Sequence, residues 1–395
     1  MSFQRVVITG MGAVTPVGIG VDTFFDNLTK GVCGVGPITR FDTKDYKVKL
    51  AAEVKDFDPE AAGIDRAQAK RSDLFAQYAM AAAMQAVSDS GIGGMQTFVQ
   101  ETEKLLNRGP GRVSPFFVPM MIGNMAAGNI AIRFNAQGPC LPVVTACATS
   151  SHAIGEAYRA IRFGYADAII AGGAEATVIP LAVAGFANMK ALSESEDPAA
   201  ASLPFDARRG GFVIGEGSGI VVLEAYEHAL ARGAKIYAEV CGYGNTCDAY
   251  HITAPHPEAT GAANAFRLAL QEAGWQGEKL YINAHGTGTP MNDKVETLAI
   301  KKALGEDAAR AALISSTKSM TGHMLGAAGA VEAIACAMAL KHGVVPPTVH
   351  LNVPDPECDL NYVPNEAVKA DIKMALSSSL GFGGHNAVLA MKKVL

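Results

Sequence analysis

Three side chains in this sequence have the types and settings that nucleophilic catalysis needs: Cys147, His285 and His323. Cys147 lies in a turn of small residues, 145–149, which follows a short apolar run at 141–144 and precedes residues with helical spacing. The unpaired N–H groups of a helix's first turn carry partial positive charge, so we expect them to stabilise the nucleophilic thiolate. Its position alone also fits a small buried core residue, the common role of a free cysteine.

The two histidines follow predicted strands and could assist such a nucleophile. His285 lies in the loop 284–290 (AHGTGTP), where glycines let a ligand approach the backbone. His323 ends the segment 316–323 (STKSMTGH) at a strand-to-helix corner. One histidine in such a place is more often structural. A cysteine at a helix start together with two strand-end histidines indicates a Cys/His/His site.

Strand–turn–helix units must hold these residues. Hydrophobic spacing predicts strands at 141–144, 280–283 and 313–316, and helices from the Cys147 turn to 161 and over 326–340. Residues 142–161 and 313–334 share an apolar strand, a threonine-containing turn and an Ala/Gly-rich helix. This repeated pattern predicts a duplicated α/β protein, with an N-terminal half over 1–234 and a C-terminal half over 235–395.

Composition supports a large buried core and argues against several classes of protein. Of the 395 residues, 49% are hydrophobic, and the net charge of −5 gives no sign of a nucleic-acid binder. Seven cysteines without CxxC or zinc-finger spacing indicate reduced thiols in a cytoplasmic compartment and no metal site. The apolar stretches 166–189 and 324–340 contain carboxylates and many small residues, so we expect core elements and no membrane span.

Five motifs run through the chain from end to end. They are VVITGMGAVTP (6–16), TACATSS (145–151), AHGTGTP (284–290), STKSMTGHMLGAAGA (316–330) and GFGGHN (381–386). In this order they resemble the β-ketoacyl-acyl-carrier-protein synthases, and most of all the elongation enzymes of fatty acid synthesis. The resemblance implies a thiolase-like fold, in which two similar halves, each with a sheet, stack as five αβαβα layers. It also implies a homodimer.

The resemblance further implies a two-step reaction. Cys147 takes the acyl chain from the carrier protein as a thioester, with the backbone N–H groups of Cys147 and Phe382 as its oxyanion hole. Phe382 then acts as a gate for malonyl-carrier protein. This substrate loses CO2, and its carbanion attacks the thioester in a decarboxylative Claisen condensation that gives a β-ketoacyl-carrier protein. A polyketide-type ketosynthase and an inactive partner subunit remain alternatives.

Matching family positions assign the remaining roles. The resemblance makes His285 and His323 hydrogen-bond donors to the enolate oxygen of the malonyl thioester. Lys318, held by Glu332, keeps positive charge nearby. No cofactor is expected, because the substrate carries phosphopantetheine, and acyl carrier protein is the expected partner. The other matches are Thr287 and Thr289 for the pantetheine arm, Ile92, Phe186 and Phe117 for the acyl pocket, and Lys70, Arg71, Arg112 and Lys190 for the acidic carrier protein.

One junction departs from the family pattern. Family members place a further strand and turn between the helix that ends near Ser90 and the glycine pair of the acyl pocket. Here residues 88–91 run directly into Ile92 and the glycines at 93 and 94. If the protein has no such segment, we expect the first sheet to lack one strand beside the site.

Overall fold

A computed structural model of the protein describes residues 3–86 and 95–394. Its strands are β1 (Val6–Thr15), β2 (Gly18–Ile19), β3 (Gly36–Pro37), β4 (Leu50–Ala51), β5 (Ala168–Glu175), β6 (Gly217–Ala225), β7 (Ala238–Cys247), β8 (Leu280–Asn283), β9 (Leu313–Ser315), β10 (Val344–Val345), β11 (Val368–Lys369), β12 (Met374–Gly381) and β13 (His385–Lys392).

The helices are α1 (Val21–Thr29), α2 (Arg66–Ala69), α3 (Leu74–Ala86), α4 (Met95–Arg108), α5 (Phe117–Met121), α6 (Met125–Phe134), α7 (Thr149–Arg162), α8 (Pro180–Asn188), α9 (Tyr226–Ala231), α10 (Thr260–Ala273), α11 (Asn292–Leu304), α12 (Glu306–Ala311), α13 (Lys318–Thr321) and α14 (Ala328–His342). Short 3-10 helices lie at Pro110–Arg112, Ala146–Ala148, Pro198–Ala200 and Leu325–Ala327.

One mixed sheet runs through the described part of the chain in the order β5–β6–β1–β7–β13–β12–β8–β9, with β2 paired to β1. β1 connects the β5–β6 part of this sheet to the part that runs from β7 to β9. It pairs antiparallel with β6 along most of its length and with β7 at residues 6–8. β8 lies parallel to both β12 and β9. Most residues of β1 are buried, and its sequence VVITGMGAVT is accordingly almost continuously apolar or small.

Helices cover the outer faces of the two parts of this sheet and fill the space between them. α3 packs on β1, β5 and β6, and α10 packs on β7 and β13. Between these two parts of the sheet lie α7 and α14, which contact each other and strands from both parts. The order helix, sheet, helices, sheet, helix is that of the predicted five-layer, thiolase-like α/β fold, so the predicted fold class is confirmed.

α14 lies at the centre of the molecule, and every residue from Ala328 to Leu340 is buried. The stretch Leu325–His342 is long and apolar enough to cross a membrane, but 89% of it is buried inside the protein, as in the core helix that the sequence predicts. Small residues let α14 approach α7 closely, and the Ala330 N–H donates to Ser150 Oγ at 2.9 Å.

The segment before Cys147 differs from the prediction. Residues 141–145 form no strand, and Leu141 and Val144 are 76% and 66% exposed. In the other half, β9 precedes the Lys318 turn and pairs with β8. Among the described residues β5 pairs only with β6, so no strand lies beside it to pair with 141–144. The predicted strand is therefore wrong, because an isolated strand cannot satisfy its backbone hydrogen bonds in a sheet. The short junction and Ile92 lie outside the described residues.

The close contact between α7 and α14 requires a residue without a Cβ at Gly329. A Cβ atom there would lie 2.1 Å from Ser151 Oγ and 3.0 Å from the Ser151 backbone nitrogen. We predict that Gly329→Ala lowers the free energy of unfolding by about 1–3 kcal/mol, measured by denaturant titration. Gly128→Ala in α6 is the matched control, since its Cβ would meet nothing closer than 3.7 Å. Equal stability of the two variants would contradict the close packing described here.

Candidate active site

Cys147 lies in the 3-10 turn that leads into α7, and its side chain is buried. The preceding Ala146 has φ 51°, a left-handed conformation that is uncommon for a residue with a Cβ. The backbone N–H groups of Cys147 and Phe382 lie near the sulfur and lower its pKa. Gly381 makes this approach possible, because a Cβ there would lie 2.8 Å from Thr145 O and 3.3 Å from the Cys147 nitrogen. The two predicted oxyanion donors therefore converge on the nucleophile.

Burial controls the protonation state of Cys147. It raises the pKa of the thiol to about 11, although the Lys318 ammonium and the two backbone N–H groups lower it. The expected stabilisation at the helix start is present, but desolvation of the sulfur outweighs it. At neutral pH the cysteine is therefore a thiol.

His285 and His323 form a perpendicular pair, with ring centroids 5.3 Å apart and an interplanar angle of 87°. Both are at most 3% exposed. Burial, and secondarily the Lys318 charge, holds both imidazole pKa values well below 6.5, so both rings are neutral at physiological pH. Nδ1 of each ring and Nε2 of His323 have no hydrogen-bond partner within 3–86 and 95–394.

Carboxylates behind the two histidine loops hold them in place. Lys318 Nζ donates to Glu332 Oε1, and both side chains are buried, so the predicted contact between these residues is observed. Glu296 accepts the backbone N–H groups of His285 and Gly286 at 2.7 and 2.8 Å. Burial raises the pKa of Glu296 to about 7. Sequence reasoning missed Glu296; its signal was a carboxylate in the helix directly after the histidine loop.

These residues share one cavity of about 530 Å³. Most of the predicted site residues line it: Cys147, His285, His323, Phe382, Thr287, Thr289, Phe186 and Lys190. Thr287 and Thr289 lie side by side, with their hydroxyl oxygens 3.0 Å apart. A buried thiol and two neutral imidazoles thus face the same space, with polar side chains farther along the wall.

Other predicted residues lie elsewhere. Phe117 is outside this cavity and packs against Phe98, with ring centroids 6.3 Å apart. Lys70, Arg71 and Arg112 are exposed, and the Arg71 guanidinium lies over the Phe116 ring. Across the described ranges no cluster of histidine, cysteine, aspartate and glutamate residues could hold a metal ion.

The raised pKa of Cys147 predicts how its alkylation depends on pH. Because the thiol ionises only near pH 11, the rate should rise about tenfold per pH unit between pH 8 and pH 10. Peptide mass spectrometry after iodoacetamide treatment measures this rate, with the exposed Cys140 and Cys247 as references on the same molecule. A Cys147 rate that is already constant below pH 8 would show that the thiolate predominates at rest.

Comparisons with known proteins agree with this site. Residues 3–229 match the family model of the β-ketoacyl synthase N-terminal domain, and residues 237–352 match that of the C-terminal domain. The chain is 51% identical over 410 positions to a 3-oxoacyl-(acyl-carrier-protein) synthase 2 of Synechocystis sp., covering 99% of this chain and 98% of the relative. It is 52% identical over 409 positions to the synthase of that name from Staphylococcus aureus, with the same coverage.

A solved structure has the same fold as this chain. The ketosynthase of a type II polyketide complex, determined with its acyl-carrier protein, superposes with a TM-score of 0.90 at 34% identity, covering the whole of both chains. An alignment of 410 positions to a 395-residue chain leaves at least 15 positions of the Synechocystis relative without a counterpart here. The motifs, the fold and these matches agree, and the chain belongs to the β-ketoacyl synthase family, as its sequence predicted.

Proposed function

We propose that this protein catalyses the decarboxylative Claisen condensation of an acyl thioester on Cys147 with malonyl-acyl carrier protein, which extends a fatty acid chain. One observation carries the proposal: a buried thiol and two neutral imidazoles line a single cavity, and Nδ1 of each ring has no hydrogen-bond partner among the described residues. The full-length relatives, named as 3-oxoacyl-carrier-protein synthases, support the same reaction.

Acylation of Cys147 is the first step. The sulfur attacks the thioester carbonyl of the acyl-carrier protein, the pantetheine sulfur leaves, and the thiol proton passes from Cys147 to that leaving sulfur. The N–H groups of Cys147 and Phe382, which lower the pKa of the nearby sulfur, would stabilise the oxyanion. A neutral imidazole of the pair can carry the proton, because both histidine pKa values are depressed.

Condensation needs hydrogen-bond donors for a developing enolate. The malonyl carboxylate leaves as CO2, and the electron pair forms an enolate whose oxygen accepts N–H bonds from His285 and His323. The carbanion then attacks the thioester carbonyl, and the Cys147 sulfur leaves and takes up one proton. The high pKa of this thiol favours that uptake. Lys318 opposes protonation of either ring, since its charge lies close to both.

The other residues that line the catalytic cavity suit the remaining parts of the substrate. The paired hydroxyls of Thr287 and Thr289 suit the amides of a pantetheine arm, and Phe186 lies against Phe212 on an apolar side of the cavity. Phe382 borders the cavity on a glycine turn, which suits a gate. No further cofactor is required, because the carrier protein brings the phosphopantetheine. Ile92 and Phe117 stay predictions for the acyl pocket.

An acidic carrier protein is the proposed partner. Lys190 is exposed and borders the cavity, and Lys70, Arg71 and Arg112 are exposed cations on the same half of the sequence. A related ketosynthase was solved with its acyl-carrier protein. Seven cysteines without CxxC or zinc-finger spacing suit a cytoplasmic enzyme.

Variants of the nucleophile and of one histidine test the reaction. Cys147→Ala should abolish the acyl adduct seen by intact-mass spectrometry, while Cys147→Gln should lose acylation but keep decarboxylation of malonyl-carrier protein. His323→Ala should lower condensation at least about 100-fold, because it removes a donor to the enolate. Cys33→Ala, outside the cavity, is the control. Condensation at full rate by Cys147→Ala would refute the proposal.

A polyketide-type ketosynthase is the second candidate, favoured by the structural match to a polyketide enzyme. It would use the same residues, so acyl-chain profiling separates it from fatty acid elongation. An inactive partner subunit would give no adduct on Cys147.

A homodimer would cover exposed apolar side chains near the site. Large apolar residues crowd the exposed surface of one segment: Phe116, Val118, Ile132, Phe134, Leu141 and Val144. Val144 also borders the catalytic cavity. Because apolar surface of this kind marks interfaces, we predict twice the monomer mass by light scattering at micromolar concentration. The doubly substituted Ile132→Asp, Leu141→Asp variant should shift toward monomer, and a monomeric wild type would contradict the prediction.

A further inference from the structure

The turn that carries Phe382 decides where the second oxyanion donor lies. β12 and β13 are joined by this glycine turn, closed by the Gly384 N–H donating to Gly381 O at 3.1 Å. Gly383 and Gly384 adopt φ 87° and 78°, which only glycine adopts easily. Two hydrogen bonds from a neighbouring segment hold the end of this turn: the Gly383 N–H donates to Ile252 O and the Asp248 N–H donates to Gly384 O, both at 2.8 Å. Neither bond involves Phe382, so side-chain packing against the turn can still set where the Phe382 N–H lies opposite the Cys147 sulfur.

The His385 ring lies directly against this turn. A Cβ on Gly383 would be 3.1 Å from both Cδ2 and Nε2 of His385, so the imidazole fills the space beside the turn backbone. His385 itself starts β13 and is paired to Cys247 of β7. His385 is thus attached to the sheet through its backbone, and its ring supports the glycine turn.

His152 backs the His385 ring. Its ring centroid lies 6.3 Å from that of His385, at 83°, and it is only 4% exposed. His152 Nδ1 is 2.8 Å from Tyr243 OH, whereas Nε2 has no hydrogen-bond partner in the described part of the chain. Tyr243 lies flat on α7, because a Cβ on Gly155 would be 2.3 Å from its ring. Buried packing therefore leaves His152 little freedom to move.

We propose that His385 and His152 are positioning residues that set the distance between the two oxyanion donors. α7 begins two residues after Cys147, which supplies one donor, and carries His152 in its first turn. Through His385, the same helix supports the turn that supplies the other donor. This inference rests on the proposed function and adds two residues to it, neither of which lines the catalytic cavity.

Half-reactions separate positioning from a general structural role. His385→Ala should lower kcat/KM for acyl transfer to Cys147 about tenfold, less than outright removal of an oxyanion donor. Decarboxylation of malonyl-carrier protein, measured in the Cys147→Gln background, should change by less than about twofold, because the histidine pair His285 and His323 serves that step. His385→Phe keeps a ring beside Gly383 and should restore most of the acyl-transfer rate.

Two further variants guard against misfolding as an explanation. Tyr243→Phe removes only the hydroxyl that holds His152, and it should weaken acyl transfer in the same direction with an unchanged Tm. His228→Ala, on α9, is a histidine control with no expected effect. Acyl transfer by His385→Ala within about twofold of wild type, or equal losses in both half-reactions, would overturn the inference alone. A wild-type enzyme that forms no adduct would overturn both the inference and the proposed function.

Discussion

Desolvation of the catalytic cavity is the constraint on which the site depends. Burial is the largest influence on the pKa of Cys147, His285 and His323, and in each case it favours the neutral form. The charge of Lys318, which is paired with the buried Glu332, also favours the neutral form of the histidines, whereas it favours the thiolate of the cysteine. Neutral imidazoles can donate to an enolate, and a neutral thiol is a stable product of condensation. The cysteine and both histidines are therefore neutral before the reaction begins.

Two central helices position the catalytic residues in this buried cavity. α7 and α14 each begin after a 3-10 turn whose first residue has a left-handed backbone, Ala146 at φ 51° and Leu325 at φ 44°. The first of these turns presents Cys147, and His323 lies two residues before the second. Small residues bring the helices together, so both turns open onto one cavity. The duplicated fold thus places different chemistry at equivalent positions of its two halves.

Motifs predicted the family, the layers and the meeting of Cys147, His285 and His323, because these depend on local sequence and on a plan repeated in both halves. The rest depended on tertiary context. Residues 141–144 have the pattern of a strand but lack a neighbouring strand to pair with. Stabilisation of the Cys147 thiolate was expected from the helix start, but the sequence does not show the burial that raises the pKa of this thiol. Glu296 acts by accepting backbone N–H groups, which leaves no motif.

The neutrality of the paired imidazoles is the central claim, and ¹⁵N NMR of histidine-labelled enzyme measures it directly. Spectra of His285→Gln and His323→Gln variants assign the two resonances. Both rings are expected to stay neutral as the pH is lowered from 8 to 6, because their pKa values lie well below 6.5. The unfolded chain would take up protons near 6.5, so stability should begin to fall below that pH. Protonation of either ring in the folded enzyme with a pKa at or above 6.5 would contradict the account.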